Sequence, residues 1–471
     1  MRPIRKVLPY VAASLPVLLP CFWQSRIQAG DLGSHLYNAW LADLIHRGQA
    51  PGLAIVPQST NVLFDLLLSA LYGAFGADAA QRIAVSLAVL IFVWGTFAFA
   101  SAASRRSWSL LPVIAALAYG WVFHMGFFNF YLAVGLCCWA LALAWNLKPA
   151  RLCGALPLLA LAYLAQSLPV AWAIPVLLFH WAARSLGPKQ RWQLAGTAIF
   201  ALAIIHMALS VSMPTRWTWW QVRGLGAADQ LWVFGDRFAM PVAALLIVWI
   251  LLLIALLRQA GARNVFGGEL FQIYLLTAAA IFLLPTWILI PGYHHPLVFI
   301  SERMSLPLGV CLCVLYASIE AGRLVRYSVA AVAVLFFALL YTDERALNRF
   351  EDRIARAAAQ IPPSQRVLCP VDTPGFRVNA LMHAIDRVAA GRWYSYANYE
   401  PSTAAFRIRV TGHSPIVAST DADSSHMQDG TYIVKPRDLP LYRIADDGSG
   451  ELRVQPLSAG ATAGITHWNG L

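Results

Sequence analysis

The chain has 471 residues, of which 59% are hydrophobic and only 12% charged, and its mean hydropathy is +0.59. This excludes an ordinary soluble globular protein and sets the class as a polytopic membrane protein. A formal net charge of +12 does not point to nucleic acid, because no basic run is interleaved with aromatics as such binding needs. In a membrane chain, Lys and Arg instead hold cytoplasmic loops against anionic lipid.

Of the seven cysteines, only Cys369 lies in polar sequence, so no disulfide framework or zinc pattern is available. The N-terminal MRPIRK followed by VLPYVAASLPVLLPCFW has the basic start and apolar run of a signal sequence but no small-x-small cleavage site, and reads as an uncleaved first span. The outer loop after it, residues 25–80, opens with GDLGSHLYNAWLADLIHRG (Gly30 to Gly48). Helical spacing puts Asp31, His35 and Asn38 on one face and Leu36, Trp40, Leu44 and Ile45 on an apolar side. Such a helix is expected to lie along the membrane surface and hold a carboxylate and an imidazole together. Asp31 is equally well placed to be a helix cap before GSH, and both readings stand at this point. NVLFDLLLSALYGAFG (Asn61 to Gly76) is short and contains Asp65, and counting it as a crossing would invert every later basic loop. It is read as an amphipathic helix at the outer interface.

Further apolar runs lie near 81–101, 107–123, 128–147, 152–166, 168–183, 193–212, 239–257, 270–290, 304–320 and 327–341. Alternate connections between them collect Arg105, Arg106, Lys148, Arg151, Arg184, Lys189, Arg191, Arg258, Arg263, Arg323 and Arg326, joining Arg2, Arg5 and Lys6 on the cytoplasmic side. The opposite connections hold Asp31, Asp43, Asp65, Asp78, Asp229, Asp236 and Glu302 and face outside. Eleven crossings with the N-terminus inside put residues 342–471 outside. That segment opens with the helix-like DERALNRFEDRIARAAAQ and continues with short β-like runs, QRVLCPV, FRIRV, TYIVK and LYRIA, and the turn signal DDGSG. The expected architecture is mainly α: a membrane helical bundle of about eleven spans over residues 1–341, with outer interfacial helices, followed by a small α/β domain over 342–471. No internal repeat is visible, which weakens a transporter built from duplicated halves.

Chemistry is expected on the outer face. Besides Asp31, His35 and Asn38, the candidates are His124 and Asn129 in HMGFFNF, and Tyr293, His294, His295, Glu302 and Arg303 in PGYHHPLVFISERMSLP. Arg303 lies on the side poor in positive charge, where a lipid phosphate would explain it; alternatively it snorkels or pairs with Glu302. Adjacent histidines point apart in regular structure, so the His294–His295 pair is a weak metal signal. The loop MPTRWTWWQVRGLGAADQLWVFGDRF (Met213 to Phe238) mixes Trp and Arg and reads first as an aromatic belt, with a sugar or headgroup site as the alternative. His180 and His206 read as satisfied interior residues. In VDTPGFRVNALMHAIDRVAAGRWYSYANYE, residues His383, Arg392, Trp393 and Tyr394 suit either acceptor recognition or a small domain's core and surface.

A first span, an outer loop reading AGDLGSHLYNAWLADL with GQAPG after it, an interfacial NVLFDLLLSALYGAFG, and QRIA entering a span together resemble the GT-C superfamily of membrane glycosyltransferases. Bacterial relatives of protein mannosyltransferases and aminoarabinose transferases are closest in style. The resemblance covers the membrane part, in pattern and order more than identity. It implies transfer of a sugar from a polyprenyl-phosphate donor to a lipid, glycan or protein acceptor at the outer, periplasmic face of a bacterial inner membrane. It implies Asp31 as the base acting on the acceptor hydroxyl, and Arg303 on the donor phosphate. Many members have a second acid beside the first, whereas Leu32 follows Asp31 here. The expectation is therefore transfer that requires no cofactor, with a divalent metal, completed by His35, as the other option. A non-catalytic transporter or polymer-handling protein for polyprenyl-linked glycans is the alternative, and a scaffold anchored by the membrane part is a third class.

Overall fold

The computed structural model describes residues 2–104, 108–291, 296–320, 322–446 and 451–468, with side chains from Val7 onward. The chain is mainly helical, at 64%. Among the described residues, five helical stretches are long and apolar enough to cross a membrane: Leu63–Ser104, Trp108–Met125, Pro188–Ser212, Asp236–Ala260 and Arg323–Ala358. Other apolar helices, among them Phe128–Ala144, Pro149–Ala165, Ser167–Ala183 and Glu269–Leu283, have 10–17 residues, and a 17-residue helix is about 25 Å long, short of a bilayer core of about 30 Å.

The apolar runs read from the sequence fall on helices, with 107–123 divided between Leu111–Ala118 and Trp121–Met125 and the other differences at the ends. The run 270–290 is helical only to Leu283, because Pro285 cannot continue the ladder. Beyond it, Trp287–Ile288 forms a short antiparallel pair with Thr215–Arg216. At the other extreme, 327–341 does not end where its hydrophobicity does. With no Gly or Pro to stop it, one 36-residue helix runs from Arg323 to Ala358 and changes from apolar to amphipathic on the way.

The chain forms two compact units that do not follow chain order: Met1–Leu87, His124–Phe128 and Leu340–Leu471 make one, and Ala88–Phe123 with Asn129–Leu339 the other. In the second unit, the helix Ile300–Tyr316 is buried from Met304 through Tyr316 and packs on Glu269–Leu283. Pro188–Ser212 is the opposite: Phe200, Ile204, Met207 and Val211 are all largely exposed, an apolar surface suited to lipid. His180 stacks on Trp145 and meets its carbonyl at 2.7 Å, and His206 meets the Leu283 carbonyl at 2.7 Å, so both are satisfied inside the protein.

In the first unit, the elements include, in chain order, α1 (Leu32–His46), β1 (Leu53–Ile55), α2 (Leu63–Ser104), α3 (Arg323–Ala358), β2 (Arg366–Leu368), β3 (Val371–Asp372), α4 (Ala384–Ala389), β4 (Tyr394–Ser395), β5 (Ile408–Val410), β6 (Leu441–Asp446), β7 (Leu452–Pro456) and β8 (Thr466–His467). Only the first part of α2 and the last part of α3 belong to this unit. A break at Gly76, with φ 77° and ψ 178°, divides α2 where the interfacial helix was expected to end. The main sheet has the order β4-β2-β6-β7; β2 pairs in parallel with β4 and β6, and β6 pairs antiparallel with β7. Helix α4 connects β2 to the parallel strand β4, as a parallel neighbour requires. The DDGSG turn lies mostly outside the described residues. TYIVK is not a strand: the backbone is turned by Pro436, and the buried Asp438 carboxylate accepts from Tyr432, Tyr396 and the Lys435 N–H. The first outer loop and the C-terminal segment are one folding unit, since β1 pairs antiparallel with β5, Leu53 opposite Val410.

Candidate functional site

The residues before Asp31 are laid along the polar half of α3. Trp23 Nε1 donates to Glu344 at 2.5 Å, Asn348 accepts from the Ser25 hydroxyl and the Arg26 N–H at 2.9 Å each, Arg26 pairs with Asp352 at 2.5 Å, and Gln28 donates to Glu351 at 2.9 Å. Positions 344, 348, 351 and 352 recur at helical spacing, so one face of α3 holds the strand-like approach to Asp31. Arg387 closes this group from the C-terminal segment: it donates to the Ile27 carbonyl at 2.9 Å and pairs with Glu351 at 3.5 Å.

A second clamp fixes the backbone at Asp31. The Gly30 N–H donates to the His124 carbonyl at 2.7 Å and the Asp31 N–H to the Met125 carbonyl at 3.1 Å. Gly126 makes this approach possible: it has φ +85°, and a Cβ there would meet the Asp31 nitrogen at 2.5 Å. His124 is fully buried, with Nδ1 2.8 Å from the Gln28 carbonyl and Nε2 3.8 Å from Glu344. It supports the loop from behind.

Asp31 is at the N-cap position of α1, yet its side chain makes no capping bond. The physical reason is its backbone, which is already helical at φ −77° and ψ −8°, whereas a capping residue is extended so that its oxygen can fold back onto the first turn. Among residues 27–42, all of them described, Asp31 is the least buried; its side chain is 22% exposed. The helix expected to lie along the membrane surface is enclosed by protein. Both faces of α1 are covered, because the segment around α4 packs on it. Gly33 allows the contact: a Cβ at that position would be 2.1 Å from the His383 carbonyl oxygen.

This packing encloses a polar network. His35 Nδ1 lies 2.7 Å from Asp65 Oδ1 and 4.0 Å from Glu400. Ser34 donates to Glu400 at 3.2 Å and accepts from Asn398 at 2.9 Å. Asn38 donates to the Ser34 carbonyl at 2.9 Å. His383 Nδ1 is 2.8 Å from Asp386 Oδ2, and its Nε2 is 3.8 Å from Asp31 Oδ1. Asp386 also accepts from Asn398 at 2.9 Å and from the Ser395 hydroxyl.

Burial opposes the charged form of His35, but the Asp65 carboxylate, aided by Glu400 and Asp31, outweighs it and raises the pKa to about 9. Burial likewise pushes Glu400 up to about 7, with His35 working against the rise and Asp65 and Asp31 adding to it. His383 is raised as well: burial lowers it, while the hydrogen bond and charge of Asp386, then Asp31 and Glu400, raise it. Burial among these acids also lifts the Tyr399 hydroxyl well above its ordinary value. Among the described residues, no group of three or more His, Cys, Asp or Glu is arranged to hold a metal ion.

Asp31, His35, Asn38 and His124 belong to the first unit, and Asn129, Glu302 and Arg303 to the second. Glu302 accepts from Thr286 at 2.5 Å and Ser301 at 2.7 Å. Tyr293, His294 and His295 lie outside the described residues. In the tryptophan-rich loop, Trp219 and Trp220 are exposed and Arg223 sits 3.5 Å over the Trp220 ring, an arrangement natural for an interface belt. Asp386, Asn398 and Glu400 were not singled out from the sequence, although all three lie in the stretch 371–400 noted for its polar and aromatic residues. Asp65 was visible as a charge inside an apolar helix. No protein-family model, curated protein or solved structure matches the chain.

Proposed function

We propose that this protein is a membrane glycosyltransferase of the GT-C type, moving a sugar from a polyprenyl-phosphate donor to an acceptor on the outer face of the membrane. In this reading eleven segments cross a bacterial inner membrane, the N-terminus is cytoplasmic, and residues 342–471 are periplasmic. Asp31 is the base. The observation that supports this best is the carboxylate at the start of α1, which has no capping duty and is the one partly open residue in an otherwise buried stretch. A base must reach the proton it removes, and a rigid, clamped backbone with one open side chain is suited to that. The acceptor hydroxyl gives its proton to an Asp31 oxygen as its own oxygen attacks the anomeric carbon, and the polyprenyl phosphate leaves with the bonding pair.

The test uses the purified full-length protein in detergent with a panel of radiolabelled polyprenyl-phosphate sugars. Consumption of one donor by the wild type and its loss in Asp31→Asn is the expected result. Consumption of no donor, with equal binding of one of them to both proteins, would favour a glycan-binding or transport role instead.

A further inference from the structure

We infer that His383, supplied by the C-terminal segment, is the positioning residue for Asp31, so that this segment completes the catalytic centre. This rests on the reading of Asp31 given above.

The chain of contacts has a direction. Asp386 is fixed as an acceptor, because Ser395 donates to Oδ1 and Asn398 donates to Oδ2 at 2.9 Å. His383 Nδ1, 2.8 Å from Oδ2, must therefore be the N–H that donates. That leaves Nε2 facing Asp31 Oδ1 at 3.8 Å. A neutral ring would turn a lone pair toward a carboxylate, whereas a protonated ring presents an N–H to each of its two acids. The charged groups facing His383 are Asp386 from α4, Asp31 from the start of α1 and Glu400, and the Tyr399 ring lies 5.3 Å away. All three are acids, so the surroundings favour the imidazolium.

A separation of 3.8 Å is an ion pair and too long for a hydrogen bond. His383 therefore faces and orients Asp31 without occupying the oxygen that must accept the substrate proton. Burial agrees with the division of labour, since the His383 side chain is 2% exposed and that of Asp31 22%. The position of His383 is itself fixed through the close backbone approach at Gly33.

Two measurements on the full-length protein test this. In the donor-consumption assay, His383→Gln should lower kcat by about 100-fold, as a misplaced catalytic group does, with donor KM nearly unchanged. An unchanged kcat, or a loss confined to KM, overturns the proposal. The second measurement needs no turnover: histidine ring signals of the 15N-labelled protein in detergent, with His383 assigned by its absence in His383→Gln or its response to Asp386→Asn. Asp31→Asn should lower the pH midpoint of that signal, and an unmoved midpoint overturns the pairing. If the wild type consumes no donor, the transfer reading fails on its own, and the ring signal still decides whether His383 and Asp31 are coupled.

Discussion

Replacing Asp65 by Asn probes the electrostatic centre of the first unit. Both partners of the His35–Asp65 pair are buried, at 2.7 Å, and the pair raises His35 from 6.5 to about 9. Because the folded-state value is the higher one, the stabilisation is fully present below pH 6.5 and is lost as pH rises through 9. At about 1.4 kcal/mol per pH unit, that interval corresponds to about 3 kcal/mol. Glu400 has the same sign: its folded value, about 7, is above the ordinary 4.5, so its contribution is present below 4.5 and lost as pH rises through 7. The wild type should therefore lose stability from acid to alkaline pH. Asp65→Asn should cost about 2–3 kcal/mol near pH 6 and little near pH 9.5, where His35 is neutral in either protein. Thermal unfolding followed by tryptophan fluorescence in detergent, at both pH values, measures this. An equal loss of stability at the two pH values would refute the ion-pair reasoning and leave only a packing effect.

Two further substitutions test how the site is held. Gly33→Ala puts a methyl 2.1 Å from the His383 carbonyl oxygen; as this is backbone, the expected cost is about 1–3 kcal/mol or more, read by thermal unfolding together with faster proteolysis of the C-terminal segment. Arg387→Met leaves Glu351 short of a buried cationic partner and the Ile27 carbonyl without its donor. It should cost about 3–5 kcal/mol, and a melt indistinguishable from wild type would show that Arg26 alone suffices for Glu351.

The helices were legible because their signal is local: long apolar runs, Gly76 at a break, Gln360 near the end of an amphipathic stretch. Asp31 stood out because it follows the first span in polar sequence, and His35 because it lies one turn later. Their partners were not legible. Asp65 is 30 residues from His35, and His383 and Glu400 are contributed by a segment more than 340 residues away. No periodicity connects such positions; the docking of α4 on α1 through Gly33 does. The same packing explains why α1, expected along the membrane surface, is enclosed by protein. TYIVK stops short of a strand for a different reason: Ile433 pairs with Thr462 in a single antiparallel bridge, and Pro436 with Asp438 then turns the backbone.

The measurement that bears most directly on the central claim pairs donor binding with donor turnover in Asp31→Asn, using whichever polyprenyl-phosphate sugar the wild type consumes. Loss of the base should lower turnover by at least about 100-fold while donor affinity stays within a few fold of wild type. Turnover close to wild type would show that Asp31 is not the base, and loss of binding together with turnover would make it a donor ligand instead.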